Sequence, residues 1–445
     1  MSPTGLMKHT TSRTISTVSS RRGMAVLVIA VAACTSTGDS IDLTATTTTT
    51  FVTTPTTLTT TTTTTIPIVF VMGRAVDPDG SPVARALVEM GPIRTVTGAD
   101  GWFSLETTDP SVMTVTKPGW SSVDVPWNSE TNFHEAVIDQ MTVRGLRVSP
   151  DAAQDDARFA SLLQLAAATA VNTLVFDSKQ EGGQILYDTA MAEAHEMGAV
   201  EVFYDPRERI AQAHDAGLYT ITRIVAFEDR VRVNARPDEK YAGVWLDPTA
   251  EGARAYILEL AVEACELGFD EIQFDYVRYP SGRTAQASGQ LDLPQAQRVN
   301  AISTFLSEAR TRLHSLGCAV SADVFGIVLS SDDDQGLGQR PEELSAQVDA
   351  LSPMVYPSHY SLGWLGLPDP NDHPYDVTAN AIQAGLARVD DSSILRPWLQ
   401  GFWWTNAQIR SSIQAAEDHG VGWMLWNILS NYDAAALPTD DEVAP

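Results

Sequence analysis

Two short stretches each carry an aspartate that the β period turns to the same side as the polar residue two positions earlier. In Ile272-Gln273-Phe274-Asp275, polar and apolar residues alternate, and Ser321-Ala322-Asp323-Val324 follows the same pattern. Successive side chains of a strand point to opposite faces. Gln273 and Asp275 therefore share one face, as do Ser321 and Asp323, while Ile272 and Phe274 take the other. A carboxylate on the inner face of a closed sheet costs several kcal/mol to bury unless it is paired, so packing alone does not account for it. Neighbouring strands lie about 4.8 Å apart, which brings two inward carboxylates within roughly 5–10 Å, a range that spans both separations used to break glycosidic bonds. Like charges that close, and partly buried, separate into one carboxyl that keeps its proton and one that is ionised. Asp323 is then the general acid/base and Asp275 the nucleophile or charge stabiliser, with Glu228 or Asp229 as reserve acids. The alternative for Asp275 is a structural ion pair with Arg278 or Arg223.

Around these two aspartates, other strand ends carry groups that suit a sugar ring. Pyranoses present apolar faces and hydroxyl rims, and clefts that hold such ligands combine aromatic surface with a few placed polar groups. The candidates are Asp177 and Lys179, Arg223, Tyr276 and Arg278, Tyr356 and His359, Trp398 and Gln400, and Trp426. Arg223, Tyr356 and His359 are expected to orient substrate. Taken singly, each tryptophan reads as core. No cofactor is implied, and no GxGxxG follows a strand-like run. No metal is expected either: no CxxC, Cys/His cluster or histidine pair stands at ligand spacing, and Asp332-Asp333-Asp334 lacks the glutamate of a calcium loop. His359 and His373 read as hydrogen-bonded structural residues before ligands.

The elements that must position these residues alternate regularly. Strand-like apolar runs fall at 143–148, 172–176, 219–227, 272–275, 319–324, 350–356, 395–400 and 422–427. Helical patterns at 155–170, 250–267, 296–316 and 406–419 separate several of them, with Gly217, Gly268, Gly317 and Gly420 where C-caps belong. Eight such alternations over about 290 residues fit an α/β fold of the (β/α)8 TIM-barrel type better than an open doubly wound sheet. Function in a barrel collects at the C-terminal ends of the strands, which is where the candidates stand. Residues 141–435 are assigned to the barrel and 436–445 to an acidic tail.

The strings Ile221-Thr222-Arg223-Ile224-Val225-Ala226-Phe227, Ile272-Gln273-Phe274-Asp275-Tyr276-Val277-Arg278-Tyr279-Pro280, Ser321-Ala322-Asp323-Val324-Phe325-Gly326, Met354-Val355-Tyr356-Pro357-Ser358-His359-Tyr360, Arg396-Pro397-Trp398-Leu399-Gln400 and Gly422-Trp423-Met424-Leu425-Trp426-Asn427 carry a resemblance. They are similar, in order, to a poorly characterised bacterial family of glycosyl hydrolases with a TIM-barrel fold, itself distantly similar to the alpha-amylase type of barrel. The resemblance implies that Asp275 occupies a nucleophile-like position on strand four. It places Asp323 where that type has a glutamate acid, and Gln400 where it has an aspartate. Asp177 and Lys179 fit the second-strand motif, but Gln180-Glu181-Gly182-Gly183 replaces the acidic residues that follow it.

The segment 67–140 alternates β-rich runs with turns such as Asp77-Pro78-Asp79-Gly80 and Ala99-Asp100-Gly101. Through Gly73-Arg74-Ala75-Val76 and Thr97-Gly98-Ala99-Asp100-Gly101-Trp102-Phe103 it resembles the carboxypeptidase regulatory-like β-sandwich, a small all-β domain that implies a spacer or adhesive role. Trp102 and Trp120 read as its core. Ahead of it, Lys8, Arg13, Arg21 and Arg22 precede a short apolar run at 24–33, the pattern of a signal peptide. Val31-Ala32-Ala33-Cys34 resembles the bacterial lipobox, implying a lipidated Cys34 at the start of the mature chain. Residues 35–66 are threonine-dominated and form a disordered linker able to extend about 100 Å. Export would permit a disulfide between Cys265 and Cys318, although both read first as buried free thiols.

With 29 Lys and Arg against 56 Asp and Glu, the net charge is -27, which excludes nucleic acid and leaves the lipid anchor as the only membrane contact. The expectation is a monomeric, exported, cell-surface lipoprotein acting as a glycoside hydrolase on an extracellular or wall polysaccharide. The competing readings are a non-catalytic carbohydrate-binding or wall-tethering protein and a wall-remodelling transglycosylase. Retention of both inward carboxylates favours an enzyme.

Overall fold

The computed structural model describes residues 68–443 apart from 118, 132 and 391. The expected signal peptide, Cys34 and the expected threonine-rich linker lie outside the described residues.

Eight parallel staves close into a barrel. They are Arg144–Val148, Thr173–Lys179, Tyr219–Val225, Glu271–Asp275, Ala319–Phe325, Ala350–Val355, Trp398–Gln400 with its lower extension Ile394–Leu395, and Trp423–Trp426. Each hydrogen-bonds the next in chain order, and the eighth pairs with the first. Their burial does not alternate: Arg144–Val148, Thr173–Lys179 and Glu271–Asp275 are buried throughout, because one face of each stave meets helices and the other meets the opposite staves. The outer face is apolar, and Phe274 packs edge-on against Phe305 of helix Gln295–His314. The inner face is mixed: at its base Glu271 holds Arg396 and Ser321, above that Gln273 reaches Ser352, and Val175, Ile221 and Met424 form an apolar cluster with Trp398 and Tyr356.

The connecting helices start and stop where their sequences require. Asp155 and Asp205 cap Asp156–Ala167 and Pro206–Asp215, and Thr405 forms a capping box with Gln408 at Asn406–Asp418. Helix Glu251–Leu267 ends at Gly268, whose φ of 113° an L side chain would strain. Between the fifth and sixth staves no long helix forms. The chain makes the 3₁₀ turn Gly326–Ser330 and the short helix Pro341–Ser345, which leaves Phe325, Gly326 and Ile327 at the barrel mouth.

Two expectations need correction here. Cys265 and Cys318 are not free thiols. They form a disulfide that ties the end of helix Glu251–Leu267 to the base of the fifth stave, closing a separation of 53 residues. Nor does the barrel package stop at 435: Ala436 and Leu437 are buried in its core cluster, and Glu442 pairs with Arg410 at 2.8 Å.

The N-terminal region is two sheets. One has strands Val69–Val76, Trp102–Thr107 and Phe133–Val137, and the other Leu87–Met90, Ile93–Val96, Met113–Thr116 and Val123–Val125. Val71, Val88, Phe103 and Val115 fill the core between them. Trp102, read as core, is 46% exposed and leans on Phe133 instead, because the strand period turns Phe103 and Leu105 inward and leaves 102 outside.

Candidate active site

The site starts from pairing register. Phe274 on the fourth stave lies opposite Ala322 on the fifth, so Asp275 and Asp323, each one residue further, emerge at the same level. Both line a cleft of about 590 Å³ at the mouth. Asp275 is 4% exposed and Asp323 1%.

Their surroundings differ sharply. Asp275 faces Arg223 of the third stave: Nε donates to Oδ2 at 2.8 Å and Nη2 lies 2.7 Å from the same atom. Its other oxygen accepts the backbone N–H of Tyr276 at 2.6 Å. Asp323 has no ion pair among the described residues. The Trp398 indole N–H donates to its Oδ1 at 2.9 Å. Burial, then the neighbouring Asp275 charge, push the Asp323 carboxyl well above the usual carboxylate range, against the weaker pull of Arg223. With Oδ1 engaged by the indole, Oδ2 is the oxygen left to carry the proton. The Arg223 pair that the sequence offered as a structural alternative is thus present, and it supplies the countercharge for one aspartate and not for the other.

Arg223 is the hub of a larger network. Besides Asp275 it binds Asp177 at 3.1 Å and the carboxylate of Glu181. Arg147 of the first stave holds the other oxygen of Asp177 at 2.5 Å. Both guanidiniums lie over the Trp426 ring, at 4.3 and 4.9 Å. Glu181 lines the cleft with its side chain 42% exposed. Burial opposes its ionisation, but Arg223, a backbone hydrogen bond and Arg147 together outweigh that and hold the carboxyl below its ordinary value.

Of the residues singled out from the sequence, Asp275, Asp323, Arg223, Tyr276, Arg278, Tyr356, His359, Trp398 and Trp426 all line this cleft. Tyr276 does so at a φ of 49°, a conformation costly for a bulky side chain. Arg278 is caged by the rings of Phe325, Trp245 and Tyr276 at 4.5, 4.6 and 4.9 Å, and burial lowers its pKa. Burial and the two aspartates keep the Tyr356 phenol protonated, and burial lowers the His359 pKa.

Three substrate-contact assignments are corrected. Asp177 is buried beneath the cleft floor between two arginines. Lys179 is fully buried: its Nζ lies 2.9 Å from Asp229 and donates to the Val225 carbonyl at 2.8 Å. Gln400 is buried as a brace, accepting from Ser358 Oγ at 2.9 Å and donating to the Phe402 carbonyl at 3.1 Å. All three stand at stave ends, but the network closes above them. Of the reserve acids, Asp229 caps helix Arg230–Ala235 through the Arg232 N–H and is buried against Lys179. Glu228 is half-buried, with its pKa raised first by burial. Asp334 in the 331–339 loop is a structural residue, paired with Arg298 and accepting the N–H of Gly336 and Gly338. His373 pairs with Asp376 away from the cleft.

Glu181, Arg147 and Trp364 of the cleft network escaped the sequence reading. Glu181 had a visible signal, an acid one turn beyond a stave end. The glycine two residues later explains the departure there: a Cβ on Gly183 would meet the Asp229 carboxylate at 2.1 Å.

A closed parallel barrel with carboxylates gathered at its C-terminal mouth defines the class as a (β/α)8 barrel. The chain belongs to the family described as "Putative glycosyl hydrolase domain", whose model matches residues 145–432. A second model, "CS1-pili formation C-terminal", matches residues 54–139. Among solved structures, a hypothetical protein of Ruminiclostridium thermocellum is 31% identical, over 40% of this chain and 97% of that one, with a TM-score of 0.35. The glycoside hydrolase domain of PgaB (BpsB) from Bordetella bronchiseptica is 13% identical over 66% of this chain and 97% of that domain, with a TM-score of 0.50, a likeness of fold. The glycoside hydrolase domain of PelA from Pseudomonas aeruginosa is 11% identical over 65% and 96%, with a TM-score of 0.41. No curated protein matches the chain.

Proposed function

We propose that this chain hydrolyses glycosidic bonds of an extracellular or cell-wall polysaccharide. The observation that carries the reading is the contrast between two carboxyls at one level of the barrel: Asp275 is ion-paired with Arg223, whereas Asp323 is buried without an ion pair among the described residues and bonded to the Trp398 indole. In the proposed reaction Asp323 gives its proton to the leaving glycosidic oxygen. Asp275 stabilises the cationic anomeric carbon or bonds to it, and water then supplies the hydroxyl that completes cleavage and restores the Asp323 proton. Arg223 pairs with Asp275 and aims it, while Trp398 fixes the Asp323 rotamer. Tyr356, His359 and Trp426 orient the sugar, with Arg278 and Tyr276 on the far wall. A transglycosylase would use the same groups with a sugar hydroxyl in place of water.

The same proposal places the protein on the cell surface. Lipidation at Cys34 would anchor it, the 35–66 linker would lift it into the wall, and residues 67–140 would act as a carboxypeptidase regulatory-like spacer on a monomeric enzyme. The Cys265–Cys318 disulfide supports export, since such bonds persist in oxidising compartments.

The test is release of reducing ends from a panel of soluble polysaccharides, with Asp275→Asn and Asp323→Asn as controls. Release by the wild type that both variants lose supports the reading, and undiminished turnover in either variant removes that residue from the mechanism. The near-complete burial of both carboxyls favours a second reading, a non-catalytic glycan binder, which binding without release of reducing ends would select.

A further inference from the structure

Just past the seventh stave the chain holds a conformation that costs stability. Trp403 is held at a φ of 61°, a left-handed conformation that a bulky L residue rarely adopts, and its side chain is 83% exposed. An indole left in water forgoes its burial energy, and a strained backbone stores a second cost. Neighbouring groups enforce both. The Asn427 amide donates to the Gly401 carbonyl at 2.6 Å, the Gln400 amide donates to the Phe402 carbonyl at 3.1 Å, and the Trp404 indole N–H donates to Asn371 at 2.8 Å.

The indole is also continuous with the cleft. Its ring meets Phe402 edge-on at 5.0 Å, and Phe402 in turn lies 5.5 Å from Tyr356 and 5.9 Å from His359, both cleft residues. On the eighth stave, Trp426 faces the cleft and the next residue, Asn427, lines a separate groove of about 330 Å³. Trp403 forms one wall of that groove, and Asn406, Asn431 and Asp433 stand on its rim, where the Asn406 amide donates to Asp433 Oδ2 at 2.7 Å and the other Asp433 oxygen accepts the Ala435 N–H at 3.0 Å. An aromatic face beside amides and a carboxylate is the chemistry that recognises a pyranose, with the ring stacked and the hydroxyls bonded.

We propose that Trp403 and this groove form a second pyranose-binding subsite for a more distant stretch of the same glycan chain that fills the cleft. The protein would then grip a polymer in preference to a short oligosaccharide. The inference rests on the cleft being a glycan site.

The test is affinity electrophoresis of the full chain through gels containing laminarin, xylan, hydroxyethyl cellulose or glycol chitin, alongside reducing-end release from the same polymers. Wild type is expected to be retarded by one of them. Trp403→Ala and Trp403→Gly should weaken that retention at least tenfold, while Trp403→Phe and Asp275→Asn keep most of it. Trp403→Gly should melt above Trp403→Ala, which separates lost stacking from lost folding. Cleavage of short oligosaccharides from the same polymer should fall less than cleavage of the polymer. Retention unchanged in Trp403→Ala overturns the subsite alone. Retention that depends on Trp403 but brings no release of reducing ends keeps the subsite and overturns the hydrolase reading. A wild type retarded by none of the polymers overturns both.

Discussion

Arg223 donates from Nε to Asp275 Oδ2 at 2.8 Å across two adjacent barrel staves, and the same guanidinium reaches Asp177 and Glu181. One buried cation thus holds three carboxylates drawn from the second and fourth staves and the loop beyond the second. Removing one partner of a buried pair leaves the others uncompensated, at a cost of about 3–5 kcal/mol. Arg223→Leu is therefore expected to lose roughly that much in chemical denaturation and to lose activity with it. A variant as stable as wild type would mean that the carboxylates shed their charge or find water.

Asp323 poses the opposite case. Its folded pKa stands above the unfolded value of about 3.9. The folded state therefore keeps a proton that the unfolded chain releases, and the associated stability is lost as pH rises from about 4 through the folded pKa. Asp323→Asn retains an acceptor for the Trp398 indole and has nothing to ionise. Its stability is expected to match wild type near pH 4 and exceed it at pH 8, while turnover falls by about 10²–10⁴, the usual contribution of a general acid. Melting curves across pH check the first part, and steady-state rates the second.

The pH dependence of wild-type turnover follows from the same contrast. Activity requires Asp323 protonated and Asp275 ionised, so the alkaline limb should report a group well above ordinary carboxylates. Asp275 and Asp323 belong to one interacting pair, so both limbs are properties of the pair. An alkaline limb that stays in place in Asp323→Asn would assign it to another group.

The Cys265–Cys318 bridge closes a 53-residue separation. On the chain-entropy account a loop of that size contributes about 4 kcal/mol. Cys265→Ser with Cys318→Ser should lower stability by about 2–4 kcal/mol with the cleft intact, and adding reductant to the wild type should reproduce the shift. No change under reductant would show that the thiols are free.

Relief of strain at Trp403 makes a prediction independent of any ligand. With φ at 61°, glycine is unstrained where tryptophan is not. Trp403→Gly is expected to gain about 1 kcal/mol of stability, seen as a raised denaturation midpoint.

Much of the barrel was legible because its signal is local. Apolar runs such as 272–275 and 319–324 are short, recurrent and separated by helical periods. The inward direction of Asp275 and Asp323 follows from strand period alone. The cleft lining was legible for a related reason: a residue at a stave end sits at the mouth whatever its partners are. Apart from the Asp275–Arg223 pair, which the sequence offered as an alternative, what failed was what depends on which charges meet. Asp177, Lys179 and Gln400 stand at stave ends as Arg223 does, yet the first two are buried under salt bridges with Arg147, Arg223 and Asp229, and the third braces Ser358 and Phe402. Apart from Phe402, those partners come from other staves and loops 30 to 50 residues away.

By itself, then, the sequence determined the eightfold alternation and the residues that share a face of each stave, because those are properties of a strand and its period, whereas the common level of the two aspartates came from the pairing register. Only the tertiary structure decided that Asp275 would have a guanidinium and Asp323 an indole, that Glu181 would join the cleft, and that the two buried cysteines would bond. Charge state and reactivity depend on distance and desolvation in three dimensions. Both are fixed only when staves far apart in the chain close into one cylinder.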